Sequence, residues 1–137
     1  MPFAAHARTL DEGSDPVVEI RSELDIAAAR AVARELCKDE GLRGFGAQKI
    51  ITAVSELARN IALYAGQGRI TMRVPAPRTI VIVAQDWGPG IADLDVILAG
   101  EYRSKTGLGR GLLGVRRLAS RFEIETGETG TRVELEF

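Results

Sequence analysis

The sequence contains little of what disulfide-bonded or membrane-spanning proteins require. It has one cysteine, Cys37, among 137 residues, so neither an intrachain disulfide nor a cage of cysteines around a metal ion is possible. No stretch approaches the roughly 20 apolar residues that span a bilayer. The first residues also lack the charged start and long apolar run of a signal peptide. We therefore expect a cytoplasmic protein without a membrane segment.

Neither sign of charge is in large excess. The chain has 18 Lys and Arg residues against 19 Asp and Glu residues, a net charge of -1. Binding nucleic acid through a broad face requires clustered positive charge, so we do not expect a nucleic-acid partner. Hydrophobic residues make up 45% of the chain, which is enough to build one core in a domain of this length.

Glycine, proline and the apolar periodicity divide the chain into a short arm and one domain. Residues 1–15 show no period and are predicted to form a flexible N-terminal arm, whereas residues 16–137 are predicted to form a single domain. The order of elements in that domain is strand, two helices, two strands, a long loop, a helix and two strands. The predicted boundaries are 17–20, 24–38, 47–64, 70–74, 80–84, 86–111, 112–120, 122–125 and 133–137. The fold class is α/β, an α+β two-layer sandwich with a mixed, mainly antiparallel sheet and helices on one face.

Glu56 and Asn60 lie four residues apart on the second predicted helix and therefore share one face. They lie beside the apolar stripe that contains Leu57, where polar groups can face a cleft. A carboxylate next to an amide oxygen suits a hard cation such as Mg²⁺. Such pairs are also common on solvated helix faces, and the pair alone does not decide between the two. The neighbouring Arg59 is equally open, since it could face solvent, phosphates or a partner.

A second polar segment, Asp86-Trp87-Gly88-Pro89-Gly90, follows the most apolar predicted strand. The two glycines allow the backbone to approach a flat ligand closely. The carboxylate of Asp86 accepts hydrogen bonds only, so it suits the amino group of adenine and would repel the carbonyl group of guanine. Asp, Gly and Pro are also the common residues of a tight turn, which is the competing interpretation.

A third segment, Gly107-Leu108-Gly109-Arg110-Gly111, leads into the third predicted helix. Closely spaced glycines expose backbone N–H groups, and a helix N-terminus adds partial positive charge, so the segment could bind phosphate groups. Lys105 and Arg110 flank the glycines and could reach terminal phosphates. The segment is neither a Rossmann fingerprint, because it follows no strand of a βαβ unit, nor a P-loop. By itself it is also typical of a flexible loop.

The order of these features matches a known family. Glu-x-x-x-Asn on a helix, Asp-x-Gly-x-Gly after a strand and Gly-x-Gly-x-Gly before a helix are followed by Gly130-Thr131 at the start of the last strand. In this order the chain resembles, over residues 17–137, the GHKL family of ATP-binding domains found in DNA gyrase, large heat-shock chaperones, histidine kinases and MutL. The resemblance implies a Bergerat-type ATP-binding fold, with ATP between the helices and the sheet under a mobile lid.

Within that family the chain most resembles the RsbT-type serine/threonine-protein kinases of bacterial partner-switching systems. The resemblance lies in Ser55–Ile61, Leu63–Gly66 and Gly107–Leu118. It implies that Glu56 is the general base or orients the attacking hydroxyl, and that Asn60 holds Mg²⁺.

The same resemblance implies the residues that bind ATP. Asp86 would recognise adenine and Thr131 would support it, while Gly88 and Gly90 would shape the adenine pocket. Gly107, Gly109 and Gly111 would hold the phosphates beside Lys105 and Arg110. The two basic residues Arg103 and Lys105 lie in the lid region, and their role there is not assigned.

The activity that the resemblance implies is transfer of the ATP γ-phosphoryl group to a serine or threonine of a STAS-domain antagonist protein. A downstream phosphatase or sigma factor would be the second partner, in a stress-response or sigma-factor pathway. The alternative is a non-catalytic, ATP-dependent binding module, such as an anti-sigma factor or phosphatase activator. We do not expect a histidine kinase, because the single histidine, His6, lies in the arm and no dimerising helical hairpin precedes the domain. A gyrase-like ATPase is not expected either, since no transducer domain follows.

Overall fold

A computed structural model of the chain describes residues 15–92, 94, 98–99 and 108–137, and at residues 108–110 only the backbone. Apart from Asp15, the predicted arm lies outside these residues. The described elements form a five-stranded sheet and helices packed on it. They are β1 (Val17–Ile20), α1 (Leu24–Asp39), α2 (Gly44–Asn60), a π-helical turn (Ile61–Ala65), β2 (Gly68–Ala76), β3 (Thr79–Asp86), α3 (Leu108–Leu118), β4 (Arg121–Gly127) and β5 (Gly130–Glu136).

The sheet has the strand order β1-β2-β3-β5-β4, and its four strand pairings are all antiparallel. The predicted α+β sandwich is confirmed, and the predicted mixed sheet is, within the described residues, antiparallel throughout. The most apolar predicted strand, at 80–84, corresponds to β3, which lies inside the sheet with β2 on one side and β5 on the other. The chain returns from α3 to the sheet edge as β4, and β5 then inserts between β4 and β3.

The core lies between one face of the sheet and the two long helices. The apolar stripe of α2 continues into the turn that follows it, and its members are almost fully buried, at 0–2% exposure (Ile50, Val54, Leu57 and Ile61). They pack against sheet residues that are equally buried, among them Ile70, Met72, Ile80, Ile82 and Leu135. Burying a side chain of this size contributes roughly 1.5–3 kcal/mol, so this interface holds the helices on the sheet.

The opposite face of the sheet is polar, which agrees with helices on one face only. Arg121 of β4 forms ion pairs with one carboxylate of its own strand, Glu123 at 2.7 Å, and with two of the neighbouring β5, Glu134 at 2.8 Å and Glu136 at 3.4 Å. Arg132 also pairs with Glu134, at 2.8 Å. The two guanidinium groups hold the pKa of Glu134 below its usual value. Exposed ion pairs of this kind contribute little each, and they keep this face solvated.

Two helix boundaries differ from the predicted ones in ways that affect the site. The second helix does not continue as an α-helix to Tyr64. It widens at Ile61 into a single π-helical turn that ends at Gly66, whose φ is +84°. Turns of this type are often found at functional sites. The third helix begins at Leu108 instead of Leu112, so part of the glycine segment lies inside its first turn.

Candidate ATP-binding site

A cavity of about 480 Å³, partly open to solvent, lies between α2 with its π-helical turn and the ends of β3 and β5. Five of the residues predicted to bind ATP line it together: Asn60, Asp86, Gly88, Gly90 and Thr131. The rest of the lining is mainly apolar and includes Leu57, Ile61, Tyr64, Ala84, Ile91, Leu112 and Val133. A mostly apolar cavity with a few convergent polar groups is the usual form of a small-molecule site.

Asp86 ends β3 with its carboxylate held by two backbone groups. Its Oδ1 accepts hydrogen bonds from the N–H of Gly88 at 2.9 Å and from the N–H of Thr131 at 3.1 Å. Both backbone bonds use Oδ1, so Oδ2 keeps its lone pairs for a ligand in the cavity. Gly130, at φ +146°, allows this arrangement, because a β-carbon there would collide with the backbone carbonyl oxygen of Asp86.

The two glycines after Asp86 are required by close approaches on opposite sides of the turn. A β-carbon at Gly88 would stand 2.7 Å from the β-carbon of Ala65 in the π-helical turn. Gly90 has a φ of +86°, and a β-carbon there would collide with the backbone carbonyl oxygen of Gly127 in the β4–β5 hairpin. The turn is therefore packed between the end of α2 and the hairpin, which places it at one wall of the cavity.

Sequence reasoning missed Thr126, which lies behind Thr131. The hydroxyl oxygens of the two threonines are 2.8 Å apart, and Thr126 Oγ1 also accepts a hydrogen bond from the N–H of Ile91 at 2.8 Å. The two threonines are directly paired across the β4–β5 hairpin. The pairing could have been found from the sequence. Gly127 and Gly130 lie between the strands predicted at 122–125 and 133–137, and counting outward from these glycines pairs Thr126 with Thr131.

The first turn of α3 passes directly over Glu56 and Asn60. A β-carbon at Gly111 would lie 2.9 Å from Glu56 Oε2 and 3.6 Å from Asn60 Oδ1. Arg59 is 61% exposed, and its Nη1 lies 3.9 Å from Glu56 Oε1. Asn60 lines the main cavity, whereas Glu56 lines an adjoining groove with Gly111. The predicted pair therefore meets the glycine segment at the boundary between the two.

The remaining residues of the glycine segment are only partly described. Lys105 and Gly107, and with them Arg103, lie outside the described residues. Gly109 and Arg110 belong by their backbone to the first turn of α3. This position corrects the prediction of a loop that ends before the helix. The N–H groups of a first helical turn have no partner within the helix, so a phosphate group could still bind there.

The oxygen atoms of Glu56 and Asn60 fit one kind of metal ion. Among the described residues, no three His, Cys, Asp or Glu side chains group around a point where a metal ion could be held. Mg²⁺ is commonly bound by one or two protein oxygens, with nucleotide phosphates and water completing its coordination. An amide oxygen on α2, beside a helix N-terminus, fits that pattern.

Within the part of the chain that the structure describes, no helix has the length and apolarity to cross a membrane.

Comparison with known proteins places the chain in a family. Residues 19–137 match the model of the histidine kinase-like ATPase domain. The serine/threonine-protein kinase RsbT of Bacillus subtilis (strain 168) is 42% identical over 122 residues, which cover 85% of this chain and 91% of RsbT.

Two solved structures share the fold. A chain of the SiaB-SiaC complex from Pseudomonas aeruginosa matches with a TM-score of 0.70 at 14% identity, over 97% of this chain and 95% of that one. The RsbU and RsbW domains of Rv1364c from Mycobacterium tuberculosis match with a TM-score of 0.62 at 18% identity, over 88% of this chain but only 32% of the solved chain. At such low identities the likeness concerns the fold alone. By the family model and the 42% identity, the chain belongs to the histidine kinase-like ATPase domains and, among them, to the RsbT-type serine/threonine-protein kinases.

Proposed function

We propose that this chain is an ATP-dependent serine/threonine-protein kinase of a partner-switching system. Its substrate is a serine or threonine of a STAS-domain antagonist protein, and a phosphatase or sigma factor is its downstream partner. It acts in the cytoplasm, where ATP is available, and uses Mg²⁺. The 42% identity to a kinase of this type, over most of both chains, is the observation that carries the proposal.

The arrangement around Asp86 supports adenine as the base that is bound. With Oδ1 occupied by two backbone N–H groups, Oδ2 can accept a hydrogen bond from the amino group of adenine. A carboxylate cannot donate a hydrogen bond. The carbonyl oxygen of guanine, which also only accepts, would therefore find no donor at Asp86. Gly88 and Gly90 let the turn pack against the π-helical turn and the β4–β5 hairpin, which sets one wall of the cavity, and the apolar lining can contact the faces of the ring. These features select adenine over guanine.

The position of Glu56 supports a role toward the hydroxyl that receives the phosphoryl group. Glu56 lies next to Asn60 but lines the groove outside the cavity, so its carboxylate can contact an incoming serine or threonine. There it would accept the hydroxyl proton or orient the hydroxyl. Bound ATP would supply the phosphoryl group and leave as ADP, and a Mg²⁺ ion held by Asn60 would neutralise charge on the phosphates. The N–H groups at the start of α3 would bind phosphate oxygens.

The test is phosphoryl transfer by the purified protein. The chain is incubated with γ-labelled ATP, Mg²⁺ and each STAS-domain protein of its source organism, and label on serine or threonine is scored. We expect one of these proteins to be labelled in a Mg²⁺-dependent reaction. Tight ATP binding without turnover, whichever partner is added, would contradict the proposal and support the non-catalytic binding module instead.

A further inference from the structure

A groove of about 700 Å³, partly open to solvent, runs between α2 and α3 from Glu56 outward. Its floor and walls are formed by Thr52, Glu56 and Arg59 of α2 and by Gly111, Gly114, Val115 and Leu118 of α3. It adjoins the ATP cavity at Gly111, whose missing side chain leaves room for the Glu56 carboxylate. The groove is thus a depression separate from the cavity and open to solvent. At one end lies Glu56, the residue proposed to contact the hydroxyl that receives the phosphoryl group.

Gly114 keeps the middle of this groove open. A β-carbon built on Gly114 meets no atom within 4 Å, so a side chain there would enter the groove without disturbing the packing of the two helices. Glycine inside a helix costs roughly 1 kcal/mol relative to alanine. No described residue comes close enough to require a glycine at this position, so the packing among the described residues does not account for its presence.

We propose that this groove binds the segment of the partner protein that carries the acceptor serine or threonine. This inference rests on the proposed kinase function, because it depends on Glu56 contacting the acceptor hydroxyl. A group that accepts a proton from a hydroxyl must lie within hydrogen-bond distance of it. The chain on at least one side of that hydroxyl must then leave along the surface next to Glu56, and the groove is the depression that begins there.

The size and lining of the groove define the segment that fits. From Gly111 to Leu118 the helix axis advances about 10 Å, which matches roughly three residues of extended chain. Val115 is fully buried and forms the floor of the groove. The half-buried Leu118 offers an apolar surface at the far end, roughly three residues from the acceptor. Arg59 lies at the rim, 61% exposed and 3.9 Å from Glu56, and can pair with a carboxylate. The expected segment therefore has a Ser or Thr, an acidic residue nearby and an apolar residue about three positions away.

The inference is tested by filling the groove. Gly114→Ala and Gly114→Leu are compared with Gly46→Ala and Gly46→Leu. Gly46 is a matched control, because it is also a helical glycine whose β-carbon would meet no atom within 4 Å, and it lies in the first turn of α2, outside the groove. Two quantities are measured for each variant: the affinity for ATP, by titration, and kcat/KM toward the STAS-domain protein that the wild type phosphorylates.

We expect Gly114→Leu to lower kcat/KM toward the partner protein at least tenfold and Gly114→Ala to lower it less. Both should bind ATP as the wild type does, and both Gly46 variants should phosphorylate normally. Arg59→Gln should raise KM for the partner several-fold with ATP affinity unchanged. The docking inference alone would be overturned if Gly114→Leu phosphorylated the partner with the wild-type kcat/KM, or if its ATP affinity fell by the same factor as its kcat/KM. A wild-type protein that phosphorylates no STAS-domain protein would overturn the proposed function and this inference with it.

Discussion

The hydroxyl groups of Thr126 and Thr131 are joined by a 2.8 Å hydrogen bond across the β4–β5 hairpin. Thr131 lines the cavity, and its backbone N–H donates a hydrogen bond to Asp86 Oδ1. The hydroxyl of Thr126 accepts a hydrogen bond from the N–H of Ile91. When Thr126 donates its proton to Thr131, the proton of Thr131 is free to point to a ligand. Thr126 therefore links Thr131, whose N–H is bonded to Asp86, to the segment that follows the turn.

Replacing Thr126 tests this link. Thr126→Val keeps the shape of the side chain but leaves the N–H of Ile91 and the hydroxyl of Thr131 without their partner, at a cost of about 1–3 kcal/mol. We expect ATP affinity to fall about fivefold or more, with kcat at saturating ATP nearly unchanged. Thr126→Ser retains the hydroxyl and should restore affinity, as measured by titration with ATP. Equal affinities of the valine and serine variants would show that the hydroxyl does not act on the nucleotide.

Asp86→Asn tests the recognition of adenine. The amide oxygen of asparagine can still accept the two backbone N–H groups, which leaves its NH₂ group facing the amino group of adenine, donor against donor. ATP binding should weaken by about 1–3 kcal/mol, or roughly five- to 150-fold. GTP, which presents a carbonyl at that position, should lose less affinity or gain some. Titrations with both nucleotides give the ratio, and an unchanged ratio would remove Asp86 from base recognition.

Glu56→Ala separates binding from chemistry. We expect the variant to bind ATP with nearly wild-type affinity, since Glu56 lines the groove outside the cavity, and to lose at least a hundredfold in phosphoryl transfer. Glu56→Gln, which keeps the size of the side chain, should be equally impaired. Glu128→Ala, in the exposed turn of the β4–β5 hairpin, is the control. Normal labelling of the partner by Glu56→Ala would exclude Glu56 from the reaction.

Gly88→Ala tests the close approach of the turn to the π-helical turn. The added β-carbon would lie 2.7 Å from that of Ala65, so one of the two backbone segments must move. We expect a loss of about 1–3 kcal/mol in the free energy of unfolding and a clear loss of ATP affinity. Gly127→Ala, where an added β-carbon meets no atom within 4 Å, should change both much less. Chemical denaturation and ATP titration measure the two effects, and identical behaviour of the two variants would contradict the packing argument.

Cys37 gives a prediction about pH. The thiol is 2% exposed, and burial raises its pKa from 9.0 to about 11. Between these values the unfolded chain releases the proton and the folded chain keeps it, so this contribution to stability is complete below pH 9 and is lost as the pH rises toward 11. Denaturation of wild type and Cys37→Ala across this range should show a steeper decline for the wild type. The native thiol should also react slowly with a thiol reagent at pH 8 and quickly once unfolded.

Much of the fold followed from local patterns in the sequence. The core of α2 and the strands at 70–74 and 133–137 were predicted because their apolar residues recur with the period of a helix or a strand. Helix α1 was predicted from its content of good helix formers, and the strand at 80–84 from its unbroken apolar run. The spacing of Glu56 and Asn60 placed both on one helix face for the same reason. Two predicted helix boundaries were wrong, at the π-helical turn and at the start of α3. Both lie where the chain packs closely against a distant segment: the π-helical turn against Gly88, and the first turn of α3 against Glu56. The roles of the site residues stay predictions, both for those that line the cavity and for Lys105 and Gly107, which lie outside the described residues.

The sequence by itself determined the type of domain, the order of its elements and the family motifs from which the ATP-binding residues are predicted, because each of these is encoded in neighbouring residues. The tertiary structure decided which of those residues share a cavity, why Gly88 must be a glycine, that Thr126 supports Thr131, and that a groove leads away from Glu56. These relationships arise where segments distant in sequence pack within a few ångströms of each other. The periodicity and spacing of residues along the sequence do not report how close two such segments lie in space.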